Sequence, residues 1–260
     1  MPRNMLAGAA VAVVAIVAVG LGGWYFFIRG DEPPPVSLAD AVASVATATA
    51  TSAGDTSTAN TATATTTSAA TAAATSEAGG AAEGDLTGAW TVDSANSFVG
   101  YRIDEELAQI GSTTAVGRTS DVTGTLEFDG STITAVSVTA NLQTLQSDDD
   151  RRDGQLRRQA LETNQFPEAT FILVEPIAIE GDPASGEPIT ATAVGDLTLH
   201  GVTNRVELTL QGQLVDGQVI VVGSTDILLA DYDIEQPQSI AVLSVSEQGT
   251  MEMQLVFVRA

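Results

Sequence analysis

The chain contains no cysteine and no lysine, and its only histidine is His200. Without cysteine there is neither a disulfide framework nor a thiolate metal site. A single imidazole cannot build a multi-histidine metal centre, and a Ser-His-Asp hydrolase would have to be organised around that one ring. The sequence also lacks a GxSxG, HExxH, P-loop or GxGxxG pattern in a usable context. Glu105 and Glu106 are adjacent, so on one strand they face opposite ways, and they read as a solvated loop rather than an acid/base couple. No metal, no cofactor and no catalytic activity are expected.

Positive charge is scarce as well. Ten arginines stand against 33 acidic residues, a formal net charge of −23. Nucleic-acid binding rests on clustered cations, so a nucleic-acid partner is excluded, as is broad adhesion to an anionic lipid surface. Aromatic residues make up only 5% of the chain although apolar residues reach 44%. Much of the apolar fraction is alanine and valine, gathered in an N-terminal run and an Ala/Thr tract.

That N-terminal run, Leu6 to Ile28, carries no charge. At about 1.5 Å per helical residue it spans a hydrocarbon core of roughly 30 Å. Trp24, Tyr25, Phe26 and Phe27 stand at its end, where an aromatic belt meets lipid headgroups. A buried core helix would show a polar face, and this run has none. Arg3 before it, and Asp31 and Glu32 after it, weakly favour a cytoplasmic N-terminus. A cleaved signal peptide is the competing reading, but such peptides have shorter apolar regions and a nearby small-residue site. Either way the rest of the chain lies outside the cytoplasm. Residues 1–30 therefore read as a cytoplasmic N-terminus with a single-pass cell-membrane anchor.

Residues 31–85 read as a disordered linker. Pro33-Pro34-Pro35 stiffens its start, and from Val45 to Ser76 it is almost wholly Ala, Thr and Ser. With no aromatic and no evident amphipathic period, it cannot offset the entropy of ordering. As a coil it would span about 40 Å.

From residue 86 to 260 the dominant period is two. Val136, Val138, Ala140 and Leu142 alternate with polar residues, as do Val206, Leu208 and Leu210, and Met251, Met253, Leu255 and Phe257. Similar runs stand near 97–103, 122–128, 169–175, 189–199 and 219–228. Asp129-Gly130, Gly181-Asp182-Pro183, His200-Gly201 and Asp216-Gly217 supply turns between them. Eight or more strands with short turns imply an antiparallel sheet, which must curl, split into a sandwich or close. The exception is Asp148 to Thr163, where Asp148-Asp149-Asp150 can cap a helix and Asp153 can pair with Arg157 at i, i+4. Phe166-Pro167 ends that helix, which is expected to cross one end of the sheet structure.

Three blocks resemble the YceI-like family of lipid/polyisoprenoid-binding domains. Trp90-Thr-Val-Asp93 followed by Ser97 resembles its opening. Leu145 through Arg152-Asp153, Leu156-Arg157, Leu161, Phe166-Pro167 and Thr170-Phe171 is similar to its central signature. Gly195-Asp-Leu-Thr-Leu-His200-Gly201-Val202-Thr203 is similar to its third block. The resemblance covers about 88–259. Asn96 stands where the first block often has His, Arg118-Thr119 replaces a usual aromatic after Gly117, and Leu229 stands where an Arg commonly precedes Asp231-Tyr232. The resemblance implies an all-β fold, a lipocalin-like antiparallel β-barrel of about eight strands around a long apolar tunnel, with a polyisoprenoid or other lipid-like amphiphile as ligand. Eight-stranded barrels are wide enough for one small ligand, and each buried methylene contributes roughly 0.8 kcal/mol before ordering costs.

Four of this domain's eight arginines, Arg151, Arg152, Arg157 and Arg158, fall in one window. They mark either a tunnel mouth, where Arg152 and Arg157 hold a ligand's phosphate or other polar head, or a solvated helix paired with its own aspartates. His200 is either a polar contact to that head or a turn residue satisfying a backbone group. Trp90 and Phe171 either line the tunnel or are simply core. Val138 and Leu142 are candidate lining, and Met251 and Met253 on one strand either make an adaptable lining suited to a flexible chain or serve plain packing. The leading reading is a membrane-anchored extracytoplasmic binding module; the alternative is a structural or interaction domain whose barrel is filled by its own side chains. Oligomeric state is left open.

Overall fold

In the computed structural model, the described residues are 32–54, 85–109, 111–237 and 242–260. The apolar run Leu6–Ile28 lies outside them; among the described residues no helix is long and apolar enough to cross a membrane. Most of the Ala/Thr/Ser tract, 55–84, lies outside them too.

Among the described residues twelve strands form one sheet: β1 (Gly88–Val92), β2 (Phe98–Leu107), β3 (Gly111–Thr119), β4 (Val122–Phe128), β5 (Thr132–Asn141), β6 (Glu168–Leu173), β7 (Ile177–Ala178), β8 (Ile189–Leu199), β9 (Val202–Val215), β10 (Gln218–Leu228), β11 (Val242–Val245) and β12 (Gln248–Arg259). Eight of them close on themselves in the order β1-β4-β5-β6-β8-β9-β10-β12, with β12 returning to β1. All these pairings are antiparallel. The barrel expected from the resemblance is thus present, and closure leaves those eight strands without a bare edge.

The turns follow local chemistry. His200 and Gly201 have φ of 52° and 78°, and Asp216 and Gly217 have φ of 49° and 76°. Positive φ at both central residues is what a two-residue hairpin with the right twist requires. Aspartate and glycine tolerate this readily; histidine does so at a cost that its ring contacts offset, as described below.

The barrel is wider at the end where β12 has left β1 for β2. Phe257–Arg259 pair with β1, whereas Thr250–Gln254 pair with β2. Beyond β2 come β3 on one side and the short β11 on another. β3 pairs with β2 along its whole length, and its residue Arg118 also bridges Gln146. Helix α2 (Asp150–Gln155) and the wider turn Leu156–Ala160 that continues it complete the wall there. This is the helix read from Asp148–Thr163. Its cap is Asp149, whose carboxylate accepts from the amides of Arg151 and Arg152.

Two expectations are corrected. Asp153 does not pair with Arg157: it is 3% exposed, and it accepts hydrogen bonds from the Ser147 hydroxyl at 2.6 Å and the Ser147 amide at 3.0 Å. A buried carboxylate is better satisfied by such short donors than by a mobile surface cation. The segment read as structureless linker also contains helix α1 (Leu38–Gly54). Ser37 and Asp40 cap it reciprocally: the Ser37 hydroxyl donates to Asp40 at 2.7 Å and accepts from its amide at 3.2 Å. Leu38, Ala41 and Val45, at i, i+3 and i+7, are buried against Ile220, Val222 and Val256 on the outer face of β10 and β12. The helix is ordered because the barrel wall offers those apolar outward residues, not because of its own propensity.

A large chamber in the barrel

Inward residues alternate along each strand as the period-two pattern predicts, but they do not meet at the wide end. A cavity of about 640 Å³ opens there. Val99 and Ile103 of β2, Leu142, Leu161, Leu199, Leu229, Ile234 and Met251 give it a mainly aliphatic wall. Two smaller hollows of about 110 Å³ each lie deeper. Val99, Ala140, Ala169 and Met251 border both the chamber and the second hollow. Leu126, Ile133, Ile177, Leu210 and Val221 border both the second and third. The three spaces therefore stand in series. In place of one long open tunnel, the barrel has a wide chamber and a largely filled far half.

The chamber's charged groups come from β2 and the helical segment with its cap. Glu105, 7% exposed, receives a hydrogen bond from the Arg152 guanidinium at 2.5 Å, and Arg152 also pairs with Asp148. Burial works against the charge on Arg152, but its contacts with Glu105 and Asp148 outweigh that and raise its pKa. Glu105 is therefore part of the chamber wall on a strand, which corrects its reading as a solvated loop residue; Glu106 is exposed. Tyr101 also lines the chamber, and its hydroxyl is buried without a hydrogen-bond partner. Burial pushes the phenol pKa up.

Six of the eight candidate residues line these spaces. Arg152 and Leu142 border the chamber; Val138, Phe171 and Met253 border the second hollow; Trp90 borders the third. Arg157 and His200 do not. The Arg157 guanidinium donates to the Leu145 carbonyl at 3.2 Å. His200 is 9% exposed, with Nδ1 3.0 Å from the Tyr232 carbonyl and Nε2 3.1 Å from the Glu162 carboxylate. Phe166 stacks edge-on against it, with ring centroids 4.5 Å apart. His200 thus ties the β8–β9 turn to two segments whose neighbours Leu161, Leu229 and Ile234 wall the chamber, and its ring bonds hold a strained turn.

The reading of individual residues missed Tyr101 and misread Glu105, whereas Met251, read as adaptable lining, does border the chamber. Tyr101 was detectable, since Val99, Tyr101 and Ile103 alternate on β2. Glu105 continues that inward register, and nothing in its local sequence signals that Arg152, 47 positions later, neutralises it. Among the departures from the family blocks, Leu229 adds a branched apolar group to the chamber wall. Thr119 is buried and shares a hydrogen bond of 2.7 Å with Thr144.

A family model described as the YceI-like domain matches residues 90–257. No curated protein matches the chain. Among solved structures, a polyisoprenoid binding domain from Saccharophagus degradans, implicated in plant cell wall breakdown, is 19% identical, with a TM-score of 0.52 over 67% of this chain and 100% of its own. BcnA of Burkholderia cenocepacia is 17% identical, with a TM-score of 0.49 over 64% of this chain and 98% of its own. The YceI protein of Campylobacter jejuni is 15% identical, with a TM-score of 0.45 over 54% of this chain and 82% of its own.

Proposed function

The chain belongs to the YceI-like domain family, and on that premise we propose that it is a tethered carrier that holds a polyisoprenoid or similar lipid-like amphiphile in its barrel. The observation that carries this reading is the aliphatic chamber of about 640 Å³. A barrel serving only as a structural or interaction module would fill its interior with its own side chains, as the far half of this one nearly does. A mainly apolar hollow of this size instead gains free energy by taking in an apolar guest. The Saccharophagus domain with the same fold is described as polyisoprenoid binding, which points to the same ligand class. The role in this reading is binding, in keeping with the family to which the chain belongs.

The uncharged run Leu6–Ile28 is the tether, a single membrane span with the barrel outside the cytoplasm. The test is to extract the full chain from its native membrane in mild detergent and analyse the bound material by mass spectrometry. An isoprenoid or other long-chain amphiphile near one per barrel is expected. Protein recovered without lipid, or found free of the membrane, would count against the respective half of the proposal.

A further inference from the structure

We propose that Met251 is a gate that sets the length of apolar chain the barrel accepts; this rests on the carrier reading above. Four residues border both the chamber and the second hollow: Val99, Ala140, Ala169 and Met251. The first three are short or stiff at χ1. Met251 alone has a long unbranched side chain with three rotatable bonds and a polarizable thioether that can repack around a guest.

Its position fits the role. On β12, Met251 stands between Tyr101 of β2 and Thr225 of β10 in register. It packs both on the cluster around Leu142, Leu161 and Leu199, which walls the chamber, and on the cluster of Ile177, Ala193 and Leu208, which walls the hollow behind. The next inward residue on the strand, Met253, borders that hollow. Opposite Met253, Gly223 leaves the space it needs: a Cβ there would lie 3.1 Å from the Met253 methyl. Two adaptable side chains thus follow one another where the barrel narrows.

The volumes say when the gate matters. At about 30 Å³ per heavy atom in a liquid, the chamber holds about 20 heavy atoms and the second hollow about four. A chain that fits the chamber has no need to displace Met251. A longer one gains further burial only if Met251, and then Met253, swing aside.

The test compares two prenyl alcohols, of three and of six prenyl units, binding to the full chain in the same detergent by titration calorimetry. Met251→Phe is expected to weaken the six-unit alcohol by at least about tenfold more than the three-unit alcohol. Met251→Ala is expected to strengthen the six-unit alcohol by at least about threefold. Met251→Leu, close in volume but branched and stiffer, keeps the question answerable if the phenylalanine variant does not fold, and is expected to weaken only the longer alcohol. Equal changes for both lengths, or no change for either, would overturn the gate while leaving a carrier. Binding of neither alcohol to the wild-type chain would remove the carrier reading, and the gate with it.

Discussion

The ring of Phe171 occupies the space where a side chain at Gly195 would stand. A Cβ built on Gly195 would fall inside contact distance of the Phe171 ring and 2.6 Å from the Ile172 carbonyl oxygen. The two residues lie on paired strands, β6 and β8, and Phe171 borders the second hollow. The glycine that opens the third sequence block is therefore a steric complement to the phenylalanine of the second. Gly195→Ala is expected to destabilise by about 1–3 kcal/mol through overpacking. Adding Phe171→Leu should recover part of that loss, a coupling measurable by urea unfolding of the two single variants and the double variant.

The Arg152–Glu105 pair makes a second prediction. Arg152→Ala leaves a carboxylate that is 7% exposed without its cation. Loss of one partner of a buried pair costs about 3–5 kcal/mol; because the Arg152 side chain is 20% exposed, about 2–3 kcal/mol is expected here. Glu105→Gln added to Arg152→Ala should restore part of the stability, since it removes the stranded charge. Denaturant midpoints of the two variants decide the matter.

Helix α1 shields outward apolar residues of the barrel. Val45 is 2% exposed and Ala41 is fully buried. Val45→Asp is expected to detach the helix and lower the unfolding midpoint, by about 1–3 kcal/mol for the lost burial. A fragment beginning at residue 86 uncovers Ile220, Val222 and Val256 and should self-associate where the longer chain does not. Light scattering on the two chains measures this directly.

Tyr101 sets an alkaline limit. Burial, with Asp153, Glu105 and Asp148 adding to it against the opposing charge of Arg152, pushes the phenol above its ordinary value of 10.0. The folded chain then keeps a proton that the unfolded chain loses near pH 10. Between the two pKa values the native state binds more protons, so stability is full below pH 10 and falls as pH rises above it. Tyr101→Phe should leave stability at pH 7 unchanged or slightly higher, since it removes a buried hydroxyl without a partner, and should flatten the alkaline decline. Urea midpoints across that pH range provide the check.

Strand alternation made most of the barrel legible. The inward registers of β5, β9 and β12 are those read from Val136–Leu142, Val206–Leu210 and Met251–Phe257, because a strand's two faces follow directly from a period of two. The same rule misread the outward face of β12. Val256 and Glu252 point away from the interior yet are 0% and 2% exposed. Helix α1 covers the first; Arg102, at 3.0 Å, and Arg118, at 3.5 Å, enclose the second. Helix α1 itself was obscured by composition, since an apolar stripe of one leucine, one alanine and two valines in an Ala/Thr-rich segment gives a faint periodic signal.

By itself the sequence determined the class of this protein: cysteine, lysine and all but one histidine are missing, alternation runs through 175 residues, and three blocks mark the family. Those features are local, and they survive any arrangement of the strands. Whether the interior is hollow was decided only by the tertiary structure. At the end where β12 has passed from β1 to β2, side chains of ordinary size fail to meet across the barrel. The pairings Arg152–Glu105 and His200–Glu162 were settled there as well, because each joins residues at least 38 positions apart. Contacts at that separation are set by how the sheet closes, and no short window of residues encodes the closure.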